Sequence, residues 1–432
     1  MWFSVTTLLL LAVLATAQNK LINEPKVFCY YNGKDTIREE WLLEALPFCT
    51  HLIYGYAAID PYNSCLVPVD DMFDCDHGRG HYRGIISLKE QFPGLKILLS
   101  IGFHKDWNEP LEKYLTVLET HYTRSQFVNS AYALLRKYGF DGLDLAWQFP
   151  QSAPKPSQEE VQVWWLKYKK IFTRESIPDP KADEHKEEFT ALVRDLEYTF
   201  RAKNLELGLT VLPHVNTTAY LDVPLLIDNL NYVHLAAFDQ QTPLRNPKEG
   251  DYAAPIYEPE GRVAGNSIEA KVNYWLANQT PSNKIILGIP TYGRAWRLSE
   301  NSNTTGIPPI KTDGAYMPQF FSDSNGRFRW PDICAMLPSA ANPNATFTKV
   351  DQDSATTGRF GVYGFQKPNH QGNGKPGIWM SYEDPESTSN KAAYAKAKGL
   401  GGVAIFDLYN DDFAGRCNGL LFPILKAASQ RS

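Results

Sequence analysis

A closed (β/α)8 barrel is the fold class this sequence predicts, on three observations. Short runs rich in β-branched and aromatic residues recur eight times, alternating with helical stretches. A chain of 432 residues matches a single barrel enlarged by insertions. No Gly-x-Gly-x-x-Gly or phosphate loop follows any of the strands, which argues against an open dinucleotide-binding sheet.

Lys26 to Tyr31 and His51 to Ala57 read as the first two strands, joined by an amphipathic stretch around Trp41, Leu42, Leu43 and Leu46. Such a unit implies parallel pairing and a right-handed crossover. Leu95 to Gly102 is the third strand, and the helix after it begins with a capping box of Thr123 and Gln126. Phe127, Ala131, Leu134 and Leu135 mark that helix's buried face. Beyond the fourth strand, Pro154, Pro156 and a second box, Ser157 with Glu160, interrupt the order of elements. Val161, Trp164, Trp165 and Tyr168 then suggest an added helix over the barrel mouth, or a sugar or polyanion surface beside Lys167, Lys169 and Lys170. A longer helix from about Ala182 buries Phe189, Leu192, Val193, Leu196 and Phe200. Leu205 to Val211, Val233 to Asp239, Lys284 to Pro290 and Gly402 to Leu408 complete the eight strands.

Between the seventh and eighth strands lies a segment too long for a loop. With Tyr316, Phe320, Phe321, Phe328, Trp330 and Val362 to Phe365, it reads as a small α+β subdomain over residues 297–379, inserted into a barrel of residues 24–296 and 380–428. At the N-terminus, Leu8 to Leu14 followed by Ala15-Thr16-Ala17 reads as a secretory signal peptide over residues 1–17, with Gln18 as the mature start. No other run approaches membrane-span length. The net charge of −5 argues against nucleic acid or an anionic membrane surface as partner. Six cysteines in a secreted chain suit disulfides. Sequons at Asn216, Asn278, Asn303 and Asn344 are glycan acceptors, Asn278 weakened by the following Pro281.

The chemistry centres on the fourth strand, Phe140-Asp141-Gly142-Leu143-Asp144-Leu145-Ala146-Trp147-Gln148-Phe149-Pro150. Alternation puts Asp144, Ala146 and Gln148 on one face, and Asp141 at the strand's start to orient backbone. This stretch resembles the glycoside hydrolase family eighteen chitinases, whose strand reads Asp-x-x-Asp-x-Asp-x-Glu. Asp141 and Asp144 match its first two acids, Ala146 stands where the third Asp would be, and Gln148 where the catalytic Glu would be. The family's Glu protonates the glycosidic oxygen while the neighbouring Asp holds the substrate's N-acetyl group, a substrate-assisted scheme. A carboxamide has no proton to give, so the resemblance implies a chain that is not an enzyme.

Further motifs agree in order. Lys96 to Gly102 resembles the family's third strand, with Phe103 in place of a second Gly. Ala236-Ala237-Phe238-Asp239 stands at its Met-x-Tyr-Asp without the Tyr hydroxyl, Gly288 to Arg294 is close to its seventh-strand motif, and Phe406 replaces its floor Trp. The resemblance runs from about Lys26 to Ile424. It implies disulfides Cys29–Cys49 and Cys334–Cys417, leaving Cys65 and Cys75, close in one loop, as a third pair. Tyr30, Tyr56, Trp147, Phe238, Asp239, Tyr292, Arg294 and Phe406 are candidates for carbohydrate binding, the aromatics among them being alternatively ordinary core. Asp141, Asp144 and Asp239 are expected to form a buried carboxylate network with Arg294 as counter-charge. Ala146 with Gln148, and Leu235 to Asp239 followed by Thr242 to Pro247, resemble the insect imaginal disc growth factors. That resemblance implies a secreted, monomeric, non-hydrolytic factor in cell proliferation, wound repair and cuticle or matrix organisation. Its implied partners are a cell-surface receptor, a matrix glycan or a chitin oligosaccharide, with no metal or cofactor. A structural matrix lectin and a glycosidase with a relocated acid are the alternatives.

Overall fold

The computed structural model describes residues 25–34, 37–102, 112–152, 179–262, 264–300, 302, 306–317, 325–338, 343, 345, 347–350, 361–368 and 377–431. The expected signal segment, Phe103, the helix expected around Trp164 and Trp165, Phe320, Phe321 and the sequons at Asn303 and Asn344 lie outside the described residues.

Eight parallel strands form the barrel: β1 Lys26–Asn32, β2 His51–Ile59, β3 Lys96–Gly102, β4 Gly142–Ala146, β5 Glu206–Val211, β6 Tyr232–Leu235, β7 Ile285–Pro290 and β8 Gly402–Phe406. Each pairs with its sequence neighbour, and β1 pairs with both β2 and β8, which closes the ring. Alternation sorts the side chains into two layers. Val27, Cys29, Leu99, Leu143, Leu145, Leu207, Leu209 and Val233 face the surrounding helices. Phe28, Tyr30, Leu98, Ala146, Ala236, Ala404 and Phe406 fill the barrel. Glycine is required where strands crowd: a Cβ on Gly288 would lie 2.6 Å from the Leu235 carbonyl oxygen and 3.1 Å from the Phe406 ring.

Helix His121–Tyr138 begins three residues earlier than the Thr123–Gln126 box would require. Thr120 is its N-cap, exchanging hydrogen bonds with Thr123, because an extended residue at position 120 leaves the Thr123 N–H facing its own hydroxyl. β6 is also shorter than the expected Val233 to Asp239. It ends at Leu235, and the chain turns so that Asp239 adopts φ 53°, in the left-handed region.

A second, antiparallel sheet packs beside the barrel. It is built from Thr348–Val350, Val362–Gln366, Ile378–Tyr382, Tyr292–Leu298 and Ile310–Ala315, with Arg327–Arg329 also paired to Tyr292–Leu298. Glu249–Gly250, from the connection between β6 and β7, joins its edge, so the sheet draws on residues either side of 297–379.

Two disulfides are present. Cys29–Cys49 spans 20 residues and Cys334–Cys417 spans 83, each with Cα atoms 5.9 Å apart. In the chain-entropy account such loops contribute about 3 and about 4.5 kcal/mol respectively. The expected Cys65–Cys75 bridge is not formed. Cys65 Sγ faces the Asn63 carbonyl within its own turn, while Cys75 is buried beyond the short helix Asp71–Asp74 beside Tyr138. Proximity in sequence did not bring the two sulfurs together. Titration of the denatured, unreduced protein should therefore find two reactive thiols per chain, and finding none would show a third bridge.

Candidate functional site

The C-terminal ends of parallel strands face one mouth, and the inward side chains below it form a buried polar cluster around Asp144. Ser100 Oγ donates to Asp144 Oδ2 at 2.7 Å and Thr210 Oγ1 donates to Oδ1 at 2.7 Å. The Tyr30 hydroxyl lies 3.2 Å from Oδ2, 2.7 Å from Thr210 and 2.6 Å from His234 Nδ1. Strand register explains the convergence: Ser100 pairs with Asp144, and Thr210 with His234. Burial pushes Asp144 up to about 6, with the three hydroxyls opposing it, and pushes His234 down to about 3, with His51 acting in the same sense. The cluster therefore holds a neutral histidine at physiological pH.

The histidine has a measurable consequence. Its pKa in the folded chain is depressed below the ordinary value near 6.5, so the stability it contributes is complete above that value and is lost as pH falls toward 3. Asp144, raised above its ordinary value, works in the opposite sense and cancels when two variants sharing it are compared. Between about pH 7 and about pH 4.5 the parent should lose about 2 to 3 kcal/mol of unfolding free energy relative to His234→Asn. Urea unfolding at the two pH values measures this difference, and parallel pH profiles would contradict it.

A second charged group stands higher in the mouth. Arg294 grips Asp239 with two hydrogen bonds, Nε to Oδ1 at 2.8 Å and Nη2 to Oδ2 at 2.6 Å, and the Tyr292 hydroxyl donates to Oδ2 at 2.8 Å. Burial pushes the Asp239 carboxyl up, but the guanidinium and hydroxyl outweigh it and hold the group below its ordinary value. Tyr292 and Arg294 lie on the Tyr292–Leu298 strand of the second sheet, two residues apart and so on one face. The pair thus ties that sheet to the barrel rim.

The three aspartates do not form one network. Asp141 sits at the opposite end of β4, where its Oδ2 accepts from the Ile97 N–H at 2.7 Å and pairs with Lys89 at 2.6 Å. It orients backbone at the strand's start and is far along the strand from the mouth. Asp144 and Asp239 keep separate partners, so Arg294 compensates Asp239 alone.

Ala146 is fully buried at the end of β4, and Gln148, 2% exposed, follows two residues beyond it. Tyr30, Tyr56, Phe238, Tyr292 and Phe406 gather with Ala146 in the barrel interior. Phe406 stacks on Tyr30 at a 3.9 Å centroid separation, Phe238 lies 5.2 Å from Phe406, and Tyr292 meets Phe238 edge-on. Trp147 is not among them. It points outward into the helical layer, edge-on to Tyr114 and Phe127, because its position alternates with the inward Ala146.

Ser100, Thr210 and His234 were missed in the sequence. Each is a polar residue at an inward register position of a predicted strand, and that parity was the available signal. Asp407, just after β8, was also missed. Burial raises its pKa against the opposing charge of Arg327, and its Oδ1 accepts from the Asn410 backbone and side-chain nitrogens at 3.0 and 2.8 Å. Among the sequons, Asn216 caps the helix Thr217–Tyr220 through its Oδ1, and Asn278 donates its side-chain nitrogen to the Tyr274 carbonyl at 2.7 Å. No group of three or more metal-ligating side chains occurs among the described residues, and no helix there is long and apolar enough to cross a membrane.

Residues 26–411 match the family description for glycosyl hydrolases family 18. The chain is 53% identical to Bacteria-responsive protein 1 of Aedes aegypti, with all of both chains covered. It is 45% identical to Chitinase-like protein Idgf4 of Glossina morsitans morsitans, over 97% of this chain and 96% of the relative. Among solved structures its fold is similar to human YKL-39, described as a pseudo-chitinase with retained chitooligosaccharide binding, at TM-score 0.72 and 24% identity, over 94% of this chain and 99% of that one. A closed barrel with this rim and this ordered set of strand motifs belongs, as these relatives do, to glycosyl hydrolases family 18, and within it to the chitinase-like Idgf proteins.

Proposed function

We propose that the chain is a secreted, non-hydrolytic chitinase-like factor that binds chitooligosaccharides weakly and acts as a growth factor in cell proliferation, wound repair and cuticle or matrix organisation. The observation that carries the non-hydrolytic reading is the pair Ala146, at the end of β4, and Gln148, two residues beyond it, both buried. An amide there cannot protonate a leaving oxygen, and a methyl cannot hold an acetamide. Weak sugar binding follows from the aromatic floor. Phe406 and Phe238 are each 1% exposed and Tyr292 is 4% exposed, so a pyranose ring reaches their faces only after the mouth opens. The opening subtracts from stacking energy.

Calorimetric titration with the N-acetylglucosamine tetramer should give a Kd no tighter than about 0.1 mM, or about 5.5 kcal/mol of binding free energy. Micromolar affinity would contradict the closed floor. Proliferation of cultured insect cells on addition of the purified protein separates the growth-factor role from a purely structural matrix role.

One observation favours an enzyme instead. Asp407 stands at the mouth with a raised pKa, as a relocated general acid requires. Its Oδ1 is occupied by Asn410, and Asp407→Asn should leave chitooligosaccharide turnover at the parent's background. Loss of measurable turnover on that change would make Asp407 the acid.

A further inference from the structure

An Asn followed by Gly can be attacked by its own backbone, because no Cβ shields the glycine nitrogen and the glycine backbone turns freely. The sequence carries four such pairs, beginning at Asn32, Asn325, Asn373 and Asn418. Asn373 lies outside the described residues. The other three share their chemistry and differ in what surrounds them.

Asn32 ends β1, and the Gly33 N–H donates to the Gly55 carbonyl of β2 at 3.0 Å. Gly33 is buried under Tyr54, where a Cβ would collide with the phenol oxygen. Freeing that nitrogen means parting two barrel strands. Asn325 is pinned through both of its oxygens, Oδ1 accepting from the Leu244 N–H at 3.1 Å and the carbonyl from Arg294 Nη1 at 3.4 Å. Gly326 is buried beside it, its carbonyl accepting from the Ala295 N–H at 2.8 Å.

Asn418, Gly419 and Leu420 are exposed together at the tip of a turn. The base of that turn is fixed. Asp412 accepts from the Arg416 N–H at 2.8 Å and the Cys417 N–H at 2.7 Å, Cys417 is bonded to Cys334, and the Phe422 N–H returns to the Asp412 carbonyl at 2.9 Å. At the tip Gly419 adopts φ 82°, and a Cβ there would meet nothing within 4 Å. Two hydrogen bonds oppose attack, from the Gly419 N–H to the Gly415 carbonyl at 3.0 Å and from the Leu420 N–H to Asn418 Oδ1 at 3.2 Å. Water can replace either partner at this surface, so opening costs little.

We propose that Asn418 is a site of spontaneous deamidation and isoaspartate formation in the folded protein. The Gly419 nitrogen gives up its proton and attacks Asn418 Cγ, closing a succinimide ring, while the side-chain nitrogen takes a proton and leaves as ammonia. Water then opens the ring at either carbonyl, which returns aspartate or routes the backbone through Cγ as isoaspartate. One water enters and one ammonia departs, with no change of oxidation state. The product carries one more negative charge and, as isoaspartate, one more backbone carbon in the turn.

The test is site-resolved peptide mapping of the full chain, incubated at mildly alkaline pH both folded and in a reduced, denatured state, then digested at acid pH to stop further conversion. In the denatured chain the three pairs should convert within about threefold of one another, since local sequence then dominates. On folding, Asn418 should keep its rate to within about tenfold, while Asn32 and Asn325 slow by at least about a hundredfold, because freeing them opens packed structure. Asn418→Gln keeps an exposed amide but would need a six-membered ring, and position 418 should then stay unmodified. Slowing of Asn418 on folding by as much as Asn32 overturns the proposal. Aspartate at 418 without isoaspartate overturns the succinimide route.

Discussion

Gln148→Glu will leave chitooligosaccharide hydrolysis at the level of a heat-killed control, even though it supplies a proton donor in the right protonation state. Position 148 is 2% exposed, so desolvation will raise the new carboxyl's pKa and keep it protonated near neutrality, as a general acid requires. Substrate-assisted hydrolysis also needs the substrate's acetamide held for attack, and Ala146 offers it only a methyl. Phe238 brings no hydroxyl to that face either, and its ring is packed against Phe406. Turnover should first appear when all three positions change together, in Ala146→Asp, Gln148→Glu, Phe238→Tyr. There general-acid catalysis alone contributes on the order of 10²- to 10⁴-fold. The triple variant will also be less stable than the parent, because two further carboxyl groups then enter an interior that already raises Asp144 to about 6. Release of a fluorogenic aglycone from a chitobioside reads both variants. A single Gln148→Glu exchange that gave a hundredfold rise over the parent would refute the reading of Ala146 and Phe238 as independent losses.

Arg294→Met should destabilise the protein by about 3 to 5 kcal/mol, the effect of stranding a buried charge. In the parent, Asp239 receives two bonds from Arg294 and one from Tyr292. Without the guanidinium the Tyr292 hydroxyl and the smaller effect of His214 are left against the desolvation that now pushes the carboxyl up. The parent's Asp239, depressed below its ordinary value, contributes stability that is lost only as pH falls through that low pKa. In the variant the sign reverses: a raised carboxyl penalises the fold as pH rises, so the deficit should shrink on moving from neutral to mildly acid pH. Adding Asp239→Asn to Arg294→Met should recover part of the loss, since the uncompensated charge disappears. Urea unfolding of parent, single and double variants at two pH values measures this. A deficit below about 1 kcal/mol would mean that Arg294 does not anchor the second sheet to the barrel rim.

Alternation and motif order in the sequence were enough to identify the barrel, because parallel strands buried on both faces carry a dense apolar signal with fixed side-chain parity. The pairs Cys29–Cys49 and Cys334–Cys417 were legible through the family resemblance, whereas Arg294, expected as counter-charge to a network of three aspartates, compensates Asp239 alone. The end of β6 at Leu235 was not. Leu235 to Phe238 is as apolar as a strand, and only the turn that delivers Asp239 to a guanidinium 55 residues away decides where the ladder stops. Cys65 and Cys75 failed for the converse reason, since closeness along the chain does not set the direction of Cβ vectors.

What the sequence determined by itself was chemical identity: which positions carry an amide, a methyl or a phenyl ring at the places that the resemblance matches to a hydrolase's acids and phenol. Tertiary structure alone decided convergence. Ser100, Asp144, Thr210 and His234 come from four strands. Barrel closure sets those distances, and no local pattern encodes a contact whose geometry depends on how the whole ring shuts.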